Sequence, residues 1–271
     1  TIMRERECDQ GETTSEEADG RMRRVLEIMR SSATEPIEKP GKSMGGLIGG
    51  EARKLAVRRE HGQAVCGTVM SRAITHAMAV LEVNSSMGLI VAAPTAGSSG
   101  IVPGLLLALQ EEYGLTDERL IDALYNAGAV GYLAMRNATV AGAVGGCQAE
   151  VGSAAAMAAA ALVQMLGGTP EQALDASSIA LSNLLGLVCD PVGGLVEVPC
   201  QNRNAIGVAA AFSSAQLAPA GIKSLVPFDQ MAHVMLSVGH ALPATLRETA
   251  KGGIAQAPAA LSACAKCGVC G

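Results

Sequence analysis

The stretch QAEVGSAAAMAAAALVQML, residues 148 to 166, decides the fold. Alanine loses no side-chain freedom in a helix and is the best helix former, so this run has no better local state. Alanine and glycine surround the helix axis, leaving no polar face for water, and the helix must therefore be enclosed on all sides. Gly167-Gly168 stops it. A chain with 32 glycines, 2% aromatic residues and no Trp has small side chains to pack around such a core. Each buries little area at about 25 cal/mol per Å², and close approach of backbones must compensate.

The flanking segments read the same way. After the buried run, Thr169-Pro170-Glu171-Gln172 sets a capping Thr, a Pro at the first helical position and a Gln that reaches back; this predicts a helix to about Leu187. Before it, Thr116 caps a helix with Asp117 and Glu118 in its first turn and Leu120, Ile121, Leu124, Val130 and Leu133 following, to about Arg136. Ile101 to Gln110 begins another. Met22, Val25, Leu26 and Met29 form an amphipathic stripe over Arg21 to Arg30. The best strand candidates, Leu195 to Val198 and Leu89 to Ala92, are too short to build a sheet. The expected fold class is mostly α, a compact bundle of Ala/Gly-rich helices around a buried central helix.

Three regions follow from composition. Residues 1–40 form a polar N-terminal arm that docks through its short helix, 41–260 an all-helical domain, and 261–271 a Cys-rich tail. A net charge of −5, a pI near 5.4 and scattered basic residues exclude a nucleic-acid footprint, and base-stacking rings are lacking. Met87 to Gln110 is broken by Pro94, Gly97, Gly100, Pro103 and Gly104, and Val151 to Leu166 is too short to span, so both read as buried core rather than membrane segments. Thr1 to Gly20 is charged, without an apolar leader, and the expected setting is cytoplasmic and reducing.

Chemistry concentrates at glycine- and proline-rich joints. Cys147 follows Gly145-Gly146, Cys189 follows the Leu184 to Val188 run, and Cys200 follows Pro199. Element ends aim ligands inward from rigid supports, and soft thiolates favour iron–sulfur clusters or zinc. Their spacing matches no compact ligand motif, and ordinary buried cysteines account for them equally well. The tail, Cys264-Ala-Lys-Cys267-Gly-Val-Cys270, resembles half of a ferredoxin-type run; zinc binding or redox-labile surface thiols fit it as well. Pro94-Thr95-Ala96-Gly97-Ser98-Ser99-Gly100 ahead of a helix is either an anion cradle suited to a carboxylate or a plain Gly-rich turn. Gly45 to Lys54 is a second glycine-rich loop entering a helix. Arg136 and Asn137 close the helix capped by Thr116, where an arginine answers the helix dipole or clamps a carboxylate. His61, His76, His233 and His240 fall in no metal spacing.

Taken together, the blocks Pro94 to Gly100, Ala138 to Gly152 around Cys147, Gly186 to Cys200, and Leu246 to Ala255 resemble the iron–sulfur-dependent L-serine dehydratases, specifically their alpha chain. The resemblance spans residue 43 to the C-terminus. It implies a [4Fe–4S] cluster on Cys147, Cys189 and Cys200 with one open iron acting as a Lewis acid, and the deamination of L-serine to pyruvate and ammonia. Carboxylate holding then falls to Thr95, Gly97, Ser98, Ser99 and Gly100, with Arg136, Asn137 and Lys54 as further candidates. Lys54 is also the one candidate base on this chain, the alternative being a histidine of a separate beta chain that completes the site in a higher oligomer. Family members often end in a cysteine that folds back toward the open iron, a role expected here of Cys270. Rival readings are a pyridoxal-phosphate dehydratase, for which no lysine makes a convincing Schiff base, a non-catalytic iron–sulfur electron carrier, and a zinc-stapled scaffold.

Overall fold

A computed structural model describes residues 2–267 of the 271-residue chain. The first helices are α1 (Ile2–Gly11), α2 (Ser15–Glu38), α3 (Glu51–Glu60) and α4 (Thr68–Ser85). They are followed by α5 (Ile101–Tyr113), α6 (Asp117–Asn137), the single turn α7 (Gly142–Gly145) and α8 (Ser153–Met165). The last are α9 (Pro170–Ser182), α10 (Cys200–Leu217), α11 (Phe228–Ala241) and α12 (Pro258–Cys264). Short 3₁₀ turns occupy several connections. Among the described residues there is no β-strand, only an isolated parallel bridge between Cys189 and Arg247.

As expected, α8 is the buried axis: every residue from Ser153 to Val163 is buried, and α5, α6, α9 and α10 surround it. Small residues permit this. A Cβ added at Gly104 of α5 would lie 2.7 Å from the Ala73 carbonyl of α4, so those two backbones meet at a distance only glycine allows. The N-terminal arm is part of the same body, since Leu26, Met29 and Ala33 of α2 belong to the same apolar core as α5, α6 and α8.

Several expected boundaries shift for physical reasons. The run from Gln148 opens as a π turn, Gln148–Gly152, before α8 begins at Ser153. Gln148 holds that wider turn in place: its amide donates to Gly145 O (2.8 Å) and Met235 O (3.0 Å) and accepts from Gly186 N (2.8 Å). The Thr169–Gln172 capping box forms as read, but α9 ends at Ser182, short of Leu187, and the chain then bends toward Cys189. The Arg21 to Arg30 helix is the middle of the much longer α2, whose start is fixed by a Thr14–Glu17 capping box. The polar α1 escapes an apolar-periodicity reading because it buries no residue; Arg4 ties it to Asp19 (2.7 Å) and Asp122 (2.8 Å). Leu195 to Val198 and Leu89 to Ala92 are irregular connections without a partner strand. No described helix is long and apolar enough to cross a membrane.

Candidate functional site

Three separate segments deliver three thiols. Cys147 sits between α7 and the π turn, just after Gly146 with φ +75°. Cys189 lies on the loop that leaves α9, and a backbone bridge anchors it: its N–H donates to Leu246 O (2.9 Å) and its carbonyl accepts from Glu248 N (2.7 Å). Cys200 is the first residue of α10. All three are buried and unbridged. They share one electrostatic environment. Burial pushes the Cys147 and Cys200 thiols up to about 12, with Glu150 adding to the rise in both, and moves Cys189 the same way. Cys189 also feels Cys147 and Cys200 directly. No three His, Cys, Asp or Glu side chains among the described residues converge as a single-ion site.

A carboxylate stands beside the thiols. Glu150 projects from the π turn; its Oε2 is 3.8 Å from Cys189 Sγ, and its Oε1 accepts the Thr95 hydroxyl at 2.8 Å. Burial is the main influence raising its pKa above the ordinary carboxylate range, opposed by the Thr95 hydrogen bond and reinforced by Glu248. Two glycines make room for it. A Cβ at Gly142 would meet Glu150 Oε2 and lie 3.1 Å from Cys189 Sγ, and one at Gly97 would lie 3.1 Å from Glu150 Oε1.

Buried polar groups tie the thiol-bearing segments together. Arg203 of α10 donates to Val188 O (2.8 Å) and to Asp190 Oδ1 (2.7 Å), and its positive charge also acts on Cys147. Asp190 Oδ2 in turn accepts from Ile254 N (2.7 Å). Asn204 donates to Gly97 O (2.8 Å) and Cys200 O (2.9 Å) and accepts from Gly100 N (3.1 Å), fastening the 95–100 loop to α10. Glu197 accepts from Gly45 N (2.6 Å), Leu47 N (3.0 Å) and Ser43 Oγ (2.7 Å). The glycine-rich loop at residues 45–50 thus cradles an anion supplied by the protein itself.

Of the residues singled out in the sequence, Thr95 and Gly97 stand next to Glu150. Ser98 and Ser99 are fully buried; Ser99 Oγ donates to Ala96 O (2.7 Å), and Ser98 Oγ lies 3.1 Å from Thr95 Oγ1. Gly100 presents its N–H to Asn204. Lys54 is exposed on α3 and pairs with Glu51 at 3.2 Å. Arg136 is exposed at the end of α6, and Asn137 lines a groove with Lys223 and Asp229. No hydrogen bond or ion pair among the described residues joins Lys54, Arg136 or Asn137 to the thiols. Cys270 lies outside the described residues. Motif reasoning misses Glu150, Asp190, Glu197, Arg203 and Asn204. A signal is present all the same: Glu150 is the only charge between Arg136 and Glu171, and Arg203 the only one between Glu197 and Lys223, so each must be partnered in an apolar interior.

Among the described residues the chain is all-helical, with three buried thiols on α7's exit, the loop after α9 and the start of α10, and the partly exposed Glu150 carboxylate beside Cys189. The family model described as "Serine dehydratase alpha chain" matches residues 1–255, and the chain belongs to that family. It is 46% identical over 257 residues to the "Probable L-serine dehydratase, alpha chain" of Bacillus subtilis (strain 168), covering 95% of this chain and 85% of that protein. Against the "L-serine dehydratase, alpha chain" of Peptoniphilus asaccharolyticus the identity is 46% over 254 residues, covering 94% and 87%. The "L-serine dehydratase" of Streptomyces coelicolor is 38% identical over 238 residues, which cover 85% of this chain but 51% of that longer protein.

Proposed function

We propose that this chain is the alpha subunit of a two-chain L-serine dehydratase that converts L-serine to pyruvate and ammonia in the cytoplasm, with a [4Fe–4S] cluster on Cys147, Cys189 and Cys200. The observation that carries the reading is the convergence of three buried, unbridged thiols from three segments beside the Glu150 carboxylate. The donor set suits the group: thiolates are soft ligands, and three of them leave one iron of a four-iron cluster without a protein thiol. When bound, the cluster supplies a Lewis acid that makes the serine hydroxyl a better leaving group without redox change.

The chain's own residues then have distinct tasks. In this reading Glu150 takes or holds the substrate's proton, and the Thr95 hydroxyl fixes its orientation. Thr95 and Gly97 form the end of the 95–100 loop that receives the substrate carboxylate, whereas Ser98, Ser99 and Gly100 keep that loop in shape through inward hydrogen bonds. The three thiols are themselves buried, and scarce water around them strengthens the charge interactions they make. The α12 helix packs beside the Val192–Gly194 turn that lies between Cys189 and Cys200, so the tail that carries Cys270 starts near the site. Cys270 caps the open iron in the resting state in this reading. The test is anaerobic reconstitution of the full chain with its partner, followed by iron and sulfide analysis and by pyruvate release from L-serine. Brown, iron-loaded protein that forms pyruvate is expected; a colourless, iron-free preparation after reconstitution overturns the reading.

A further inference from the structure

The three ligand segments are far apart in the chain, and something must hold them in register before any cofactor is present. Among the described residues, Arg203 joins two of them by hydrogen bonds, and its charge acts on the third. It stands one turn beyond Cys200 on α10, so it moves with that ligand. Its two terminal nitrogens bracket Cys189, one on the Val188 carbonyl at 2.8 Å and the other on Asp190 at 2.7 Å. The same charge acts on Cys147, opposing the rise that burial imposes on its thiol. Its side chain is 12% exposed and that of Asp190 3%, so the pair is screened little by water and its geometry is well defined. A planar fork of five donors suits this task; a lysine ammonium reaches one or two of the acceptors but cannot span them in a plane.

We propose that Arg203 is a positioning residue of the thiol site: it holds the Cys189 segment to the start of the Cys200 helix and sets a positive charge near Cys147. The proposal rests on the reading of these thiols as cluster ligands for its second half only. Groups just outside a metal site commonly alter metal affinity by about 10- to 100-fold, and a charge next to a cluster sulfur shifts the cluster's potential.

The experiment compares the full-length chain with Arg203→Lys and Arg203→Met, each checked for folding by circular dichroism. The first readout needs no metal: the alkylation rate of each cysteine in the apo protein, mapped by mass spectrometry, with exposed Cys66 as internal reference. Faster modification of Cys189, whose flanking Val188 and Asp190 lose their anchor, is expected in both variants at an unchanged Cys66 rate. The second readout is the midpoint potential and iron retention after anaerobic reconstitution. Arg203→Met should move the potential to more negative values, because loss of the positive charge disfavours the reduced cluster. Arg203→Lys should keep the potential near that of the parent yet hold iron about 10-fold less firmly. A merely structural arginine would lower thermal stability and leave the potential unmoved.

Folded Arg203→Met with parental alkylation rates and parental potential overturns the proposal. Should Arg203→Met not fold, Arg203→Lys decides: accelerated Cys189 alkylation supports it and an unchanged rate overturns it. Should the parent chain itself take up no iron or sulfide, the cluster reading falls, and the alkylation rates still decide whether Arg203 organises the thiols.

Discussion

At the scale of single residues, Glu150 and Gly142 make the sharpest predictions. Glu150 is hydrogen-bonded to Thr95 and lies 3.8 Å from the Cys189 sulfur, and Glu150→Gln preserves its size while removing its capacity to take a proton. Pyruvate formation should fall by about 10²- to 10⁴-fold, the usual contribution of a positioned acid or base, with iron content unchanged. Activity within a few-fold of the parent would remove Glu150 from the chemistry. Gly142→Ala puts a methyl group into the space held by the Glu150 carboxylate and the Cys189 sulfur. Overpacking of this kind costs about 1–3 kcal/mol. The variant should therefore fold, with lower urea resistance, and lose activity far beyond its loss of stability, because the displaced groups are those of the site.

At the scale of elements, helix ends and helix crossings respond differently to one methyl group. Thr169 caps α9 through the Gln172 N–H at 3.2 Å, and Thr169→Ala should lower unfolding free energy by about 1 kcal/mol. In α5, Gly104 faces the Ala73 carbonyl and the Ala77 backbone of α4 at distances a Cβ cannot share. Gly104→Ala must push two backbones apart and should cost about 1–3 kcal/mol. At Gly128, within α6, an added methyl would meet nothing within 4 Å, so Gly128→Ala should raise stability by about 0.5–1 kcal/mol through its lower unfolded-state entropy. Urea titration of this pair separates close packing from backbone propensity. If both substitutions shift stability in the same direction, the α4–α5 contact is not as tight as described.

At the scale of the whole molecule, a buried histidine links the arm to the bundle. His76 of α4 bonds Ala33 O of α2 through Nδ1 (3.1 Å) and Glu111 of α5 through Nε2 (3.0 Å). The His76 hydrogen bond is the main reason the Glu111 carboxyl is held below the ordinary glutamate range. A carboxyl lowered in the folded state stabilises above its unfolded value, and that contribution disappears as pH falls through the lowered folded value. Glu111→Gln should therefore reduce stability at neutral pH, by no more than about 1 kcal/mol because Glu111 is half exposed. The difference from the parent should begin to shrink as pH falls below the unfolded glutamate value of about 4.3 and disappear once pH has passed the lower folded value. A difference that is constant with pH, measured as urea midpoints across that range, would show that the link is one of shape rather than charge.

Much of the architecture is legible in the chain itself. Alanine composition makes residues 148–166 a buried helix, and the Thr169-Pro170-Glu171-Gln172 order sets the start of α9, because caps and helix propensity act within a turn or two. The cysteines stand out through residue type and flanking glycines, and the family through four ordered blocks. What local pattern does not encode is which distant groups meet. The charged residues of the candidate site find partners across the fold, Glu150 with Thr95 and Arg203 with Asp190 and Val188, and the glycine-rich Gly45 loop closes around the Glu197 carboxylate. The Ser98 and Ser99 hydroxyls face inward, and Lys54 faces water, for the same reason. Side-chain direction depends on the neighbour that packing supplies, and for this protein the packing of α8, α9 and α10 supplied it.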